Sequence, residues 1–155
     1  MMDEKTQYLT QNKYNDLKKE LAFLKEDKIP TIAKKIDSAK QMGDLSENAE
    51  YHAAREEMAW TQSRVKEIEG IFGVAEIIEI KNNKEIVSIG SKVIVLVNDL
   101  EKEYTIVGAQ EADPLSRKIS NESPLGRAFL GKSKGNLVQV TVPAGVQTYK
   151  IINIE

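Results

Sequence analysis

Apolar positions in the first half of the chain recur with a helical rhythm. Tyr14, Leu17, Leu21 and Leu24 alternate steps of three and four, a coiled-coil-like stripe. Residues 10–40 contain no glycine and are rich in Lys, Glu, Leu and Ala, all good helix formers, with Thr10 placed to cap the start. The rhythm then slips by one residue. Ile29, Ile32, Ile36 and Ala39 resume it out of phase, beside Pro30, so a kink is predicted near residues 26–30 with the helix continuing beyond. A second stripe follows in Tyr51, Ala54, Met58, Thr61, Val65, Ile68, Phe72 and Ala75. The connection at residues 41–50 is short, so the two helices run antiparallel. Gly43 permits the turn, and Asp44 is expected to open the return helix. Trp60 is expected to fill a gap between helices, and His52 to pack or cap locally.

From Gly90 the pattern becomes short and β-branched. Val93–Val97 reads as a strand, Asn98-Asp99 as a turn and Tyr104–Val107 as the next strand. Ser123-Pro124 reads as a helix start. Leu137–Val142 and Thr148–Ile154 supply two more strands, split by Pro143-Ala144-Gly145. Residues 78–90 are a transition, with Asn82-Asn83 a turn and 74–80 either helix end or linker strand. The expected fold is two domains: an all-α antiparallel coiled-coil hairpin over 1–78, and an α+β domain over 79–155 with an antiparallel sheet and one short helix.

Composition narrows the chemistry. The 155 residues include no cysteine and one histidine, which excludes disulfides, thiolate sites and histidine-rich metal centres. Residues 1–77 carry 15 acidic against 12 basic side chains, and 78–155 carry nine against ten, so neither half announces nucleic acid by charge. No apolar run approaches the roughly 20 residues a bilayer span needs, and the N-terminus lacks a secretory pattern, so a soluble cytoplasmic protein is expected, with no membrane partner.

The chemistry-bearing stretch is the acidic tip, Gly43-Asp44-Leu45-Ser46-Glu47-Asn48-Ala49-Glu50-Tyr51. Asp44 and Glu47 fit a capping box, and both complement the helix dipole. Two carboxylates alone make a poor site for Mg²⁺, so any metal role requires ligands from elsewhere.

The tip, continued through His52-Ala53-Ala54-Arg55-Glu56, closely resembles that of the GreA/GreB family of bacterial transcript cleavage factors. Ile106-Val107-Gly108, Glu111-Ala112-Asp113, Ile119-Ser120, Ser123-Pro124-Leu125-Gly126 and Leu130-Gly131-Lys132 resemble that family's C-terminal domain. The likeness covers nearly the whole chain, and the acidic balance is nearer the GreA branch.

The resemblance implies a coiled coil joined to an FKBP-like domain. It implies rescue of backtracked RNA polymerase by an accessory factor that is not itself an enzyme. The coiled coil would enter the polymerase secondary channel, and the tip acids would support hydrolysis of the extruded RNA 3′ end. Asp44 would be a ligand to a second, weakly held Mg²⁺, and Glu47 would help hold that ion or orient the attacking water. The ion is shared with the polymerase and is not expected on the free protein. Arg55 and Lys40 would contact RNA. Ser120, Ser123 and Pro124, supported by Glu111 and Asp113, would dock on the channel rim.

Each position has a plainer account: capping for the acids, a surface ion pair for Arg55, a solvated face for Lys40, and turn chemistry for the docking loop. Ser46 departs from the lysine common in the GreA branch. Two other readings stay open: a channel-binding relative that inhibits without cleavage, and a coiled-coil scaffold or chaperone. Prolyl isomerase activity is rejected, because Tyr104, Phe129 and Tyr149 are the only aromatic residues of the second half. No small-molecule substrate is expected.

Overall fold

The computed structural model describes residues 6–81 and 83–155, the Leu45 side chain excepted; Asn82, half of the expected Asn-Asn turn, lies outside the described residues. Two compact units emerge. Asn12–Ala75 belongs to the first, and Thr6–Gln11 joins Glu76–Glu155 in the second.

The first unit is a helical hairpin. Helix α1 (Gln11–Phe23) runs into a π-helical turn at Leu24–Lys28 and then α2 (Ile29–Lys40); the return helix α3 spans Ala49–Val74. The π turn lies in the region where the phase slip predicts a kink, and it explains that slip. Leu17, Leu24, Ile32 and Ala39 are buried, at spacings of seven, eight and seven. A π turn takes one extra residue, so it absorbs the eighth and keeps the stripe on one face. The Ile29 N–H bonds to the Leu24 carbonyl, and Pro30, which has no N–H to give, sits in the first turn of α2.

Across the seam, α3 buries Ala54, Thr61, Val65, Ile68 and Ile71. The rings of Tyr14 and Phe72 meet with centroids 5.0 Å apart. Arg64 clasps Glu20 through two bonds of 2.7 and 3.0 Å. Trp60 does not fill the seam. It is 72% exposed, because one residue away from Thr61 on a helix is about 100° away from the seam.

The second unit is α+β. Strands β3 (Lys92–Val97), β4 (Leu100–Val107), β5 (Lys118–Ser120), β6 (Leu137–Val142) and β7 (Gly145–Ile154) form one sheet in the order β5-β4-β3-β7-β6. Strict alternation along β3 puts Val93, Val95 and Val97 in the core, where Ile106, Phe129, Val138, Ile151 and Ile154 meet them. The β3–β4 hairpin turns on Asn98 and Asp99, both at positive φ. The sheet is mixed rather than antiparallel, since β5 pairs with β4 in parallel. A short strand, β1 (Gln7–Leu9), pairs with β2 (Ala75–Ile77). The 74–80 stretch is therefore both helix end and strand.

Helix α4 (Pro124–Phe129) packs on the sheet through Phe129, whose ring meets Tyr149 at 5.6 Å and Tyr104 at 6.0 Å. These three aromatics fill the core with one another. Among the described residues no helix is long and apolar enough to cross a membrane.

Candidate functional site at the hairpin tip

Helix α2 ends at Lys40, and the chain turns through Gly43 at φ +124°, a conformation a β-carbon would strain. Asp44 is extended and caps a single 3₁₀ turn, Leu45–Glu47, not the return helix. Its Oδ1 accepts the Ser46 N–H at 3.0 Å and the Ser46 hydroxyl at 2.9 Å. Those bonds, the backbone one first, hold the Asp44 carboxyl below its usual range.

The cap of α3 is Asn48. Its Oδ1 accepts the Tyr51 N–H at 3.1 Å, while its Nδ2 donates to the Ala39 carbonyl at 2.7 Å. One side chain thus starts the return helix and ties it to the end of the outgoing one. The expected capping box between Asp44 and Glu47 is not formed, because the 3₁₀ turn moves the helix start four residues on. Asn48 is the residue that sequence reasoning missed. A strong N-cap type directly ahead of Ala49 was its signal.

The two acids are left available. Asp44, Ser46 and Glu47 are exposed. Among the described residues the Glu47 carboxylate has no hydrogen bond or ion pair, and Asp44 commits only one oxygen. No three His, Cys, Asp or Glu side chains converge on a metal position among the described residues. Two carboxylates with open oxygens fit Mg²⁺ as a partial ligand set, since this ion commonly takes one or two and completes its shell with water and phosphate oxygens.

Lys40 is exposed at the end of α2 and forms no ion pair among the described residues. Arg55 lies over the Tyr51 ring, 5.8 Å from its centroid, and donates to the Tyr51 hydroxyl at 3.3 Å rather than pairing with Glu56. His52 is exposed, edge-on to Tyr51 at 5.6 Å.

In the second unit, the Ser120 carbonyl accepts the Ser123 N–H and hydroxyl, at 3.0 and 2.7 Å. Ser123 caps α4 by accepting the Gly126 N–H, and Pro124 opens the helix. A Cβ on Gly126 would overlap the Ser120 carbonyl oxygen, which explains the glycine of Ser123-Pro124-Leu125-Gly126. Glu111 accepts the Thr10 hydroxyl at 2.9 Å. Asp113 caps the 3₁₀ turn Pro114–Ser116, accepting from the Leu115 N–H and the Ser116 hydroxyl.

Comparison with known proteins shows the family. Residues 7–77 match the family model described as transcription elongation factor, N-terminal, and residues 81–155 the model described as transcription elongation factor, GreA/GreB, C-term. Transcription elongation factor GreA of Clostridium acetobutylicum is 44% identical over 160 residues, covering all of both chains. The factor of the same name from Chloroherpeton thalassium is 45% identical over 157 residues, covering 99% of each. The solved structure of GreA factor homolog 1 (Gfh1) of Thermus thermophilus is 25% identical, with a TM-score of 0.46, over 97% of this chain and 99% of that one.

Proposed function

The chain belongs to the GreA/GreB family of transcription elongation factors, and from that membership we propose that its tip stimulates RNA cleavage by backtracked RNA polymerase. The protein is a transcription elongation factor, accessory to the polymerase rather than an enzyme. The hairpin enters the secondary channel and lends Asp44 and Glu47 to the polymerase active site, where the extruded RNA 3′ end lies. Helix α3, with 26 residues at 1.5 Å each, gives the arm a length of about 39 Å.

Support comes above all from the uncommitted state of the two acids: one oxygen of Asp44 and both of Glu47 remain open on an exposed tip. In this reading Asp44 is a ligand to Mg²⁺, and Glu47 helps hold the ion or orients the attacking water. When bound, Mg²⁺ supplies charge neutralisation at the leaving oxygen and a more acidic water. Arg55 and Lys40 contribute positive charge toward the RNA end, with Tyr51 orienting the guanidinium. The loop of Ser120, Ser123 and Pro124, with Glu111 and Asp113 beside it in sequence, docks on the channel rim.

The test is the pair of substitutions Asp44→Asn and Glu47→Gln together. Asn retains the Oδ acceptor for Ser46, so the turn persists while ligand charge is lost. The double variant is expected to keep its helicity and its polymerase binding, and to lose cleavage in stalled complexes by about a hundredfold, equal to about 2.7 kcal/mol in the barrier. Cleavage equal to the parent's removes the metal role. A parent that binds polymerase without stimulating cleavage returns the protein to a channel-binding regulator.

A further inference from the structure

We propose that the hairpin face carrying Trp60 is a second docking surface, one that takes a basic protein segment with an Arg or Lys laid over the indole. The partner is the polymerase that the arm enters, so the inference rests on the function proposed above and adds a surface to it.

Trp60 is 72% exposed and Phe23 54% exposed on the two-helix unit in which Tyr14 and Phe72 pack together. Two adjoining depressions, of about 460 and 260 Å³, share Lys28 and Glu57 as a common ridge; Trp60 walls the larger and Phe23 the smaller. Leu24 and Lys28 of the π turn line the larger one, so the extra residue that corrects the seam also shapes this face. An exposed tryptophan beside a concavity offers an anchor for a partner, since tryptophan is among the residue types enriched at binding hot spots.

Charge decides the kind of partner. Arg64 is already held by Glu20 and by Glu67, the latter at 2.9 Å, and Lys35 by Glu57 at 3.2 Å. Among the described residues the carboxylates of Glu56 and Asp27 have no hydrogen-bonded or ionic partner, against a single such cation in the lining, Lys28. In the lining of the two depressions four carboxylates, Glu20, Asp27, Glu56 and Glu57, face three cations, Lys28, Lys35 and Arg64. That excess repels an RNA backbone and attracts a basic protein segment. A cation over the indole face is strengthened as water is excluded, and Glu56, four residues before Trp60 and on the same helix face, stands ready to accept its hydrogen bonds.

The experiment uses the full chain and stalled elongation complexes. A photo-crosslinking amino acid, p-benzoylphenylalanine, replaces Trp60 and is expected to label a basic segment of a polymerase subunit. Trp60→Ala is expected to weaken polymerase binding on the order of tenfold, with parental helicity and parental cleavage at saturating factor. Trp60→Phe keeps most of the affinity, and Glu56→Lys weakens it. Crosslinking to RNA, or no crosslink together with unchanged affinity of Trp60→Ala, overturns the proposal. The amide variant of Asp44 and Glu47 separates the two claims: it loses cleavage and keeps affinity, whereas Trp60→Ala does the reverse. A parent that does not bind polymerase overturns both.

Discussion

Two aspartates in this molecule perform the same local task and differ in what they leave over. Asp44 caps the 3₁₀ turn at the hairpin tip, and Asp113 caps a 3₁₀ turn in the sheet unit. Both accept a backbone N–H two residues on, and both accept a serine hydroxyl. Both carboxyls are held below the usual range by those bonds. Asp44, however, takes both bonds on Oδ1. Asp113 uses Oδ1 for Leu115 and Oδ2 for Ser116, and its backbone is bridged to Lys118 in both directions. Capping and ligand function are therefore not rivals at Asp44. A carboxylate has more acceptor sites than a cap requires, and the arrangement of the cap decides whether one oxygen stays open to a cation.

The widest separation between the two aspartates should appear in cleavage assays. Asp113→Asn is expected to leave cleavage at saturating factor at the parental level, in contrast to the loss described for the tip variant. Equal losses at both positions would erase the distinction. The next effect is on stability. Asn48→Ala removes the cap of α3 and its tie to Ala39, and should cost about 1–2 kcal/mol in urea unfolding. Asp44→Ala, which caps only one exposed 3₁₀ turn, should cost less.

The smallest effect is in titration. By carboxyl NMR, Ser46→Ala should raise the pKa of Asp44 toward the ordinary aspartate value and leave Asp113 in place; Ser116→Ala should do the converse. Because each folded pKa is depressed, the stabilisation of each turn is complete above the unfolded value. It is lost as pH falls through the folded one. Glu20, lowered chiefly by its hydrogen bond from Arg64, follows the same sign.

The long-period features were legible before the structure was. The seven-residue spacing from Ala54 to Thr61 to Ile68 survives as burial, and the alternation of Val93, Val95 and Val97 as core. The one-residue slip before Ile29 was visible too, though its cause was a π turn. What escaped notice was short or set by tertiary contacts. Strands β1 and β5 have three residues each, too few to carry a period, and parallel pairing of β5 depends on the chain's path rather than its own residues. At the tip, Asp44 with Glu47 and Asn48 with Tyr51 were competing helix starts. The Ala39 carbonyl, nine residues upstream, favoured the second. Trp60 could have been placed outward from its own heptad, since it neighbours Thr61 and cannot share its bearing.

Leu24–Lys28 has a geometric consequence for the acids some 20 residues further along. One additional residue in a regular helix would swing everything downstream by about 100° about the axis. The wide turn cancels that swing, so the arm behaves like a shaft with a built-in phase corrector: Ala39 still meets its mate, and Asp44 and Glu47 are clocked to the same compass direction as if the residue had never been inserted.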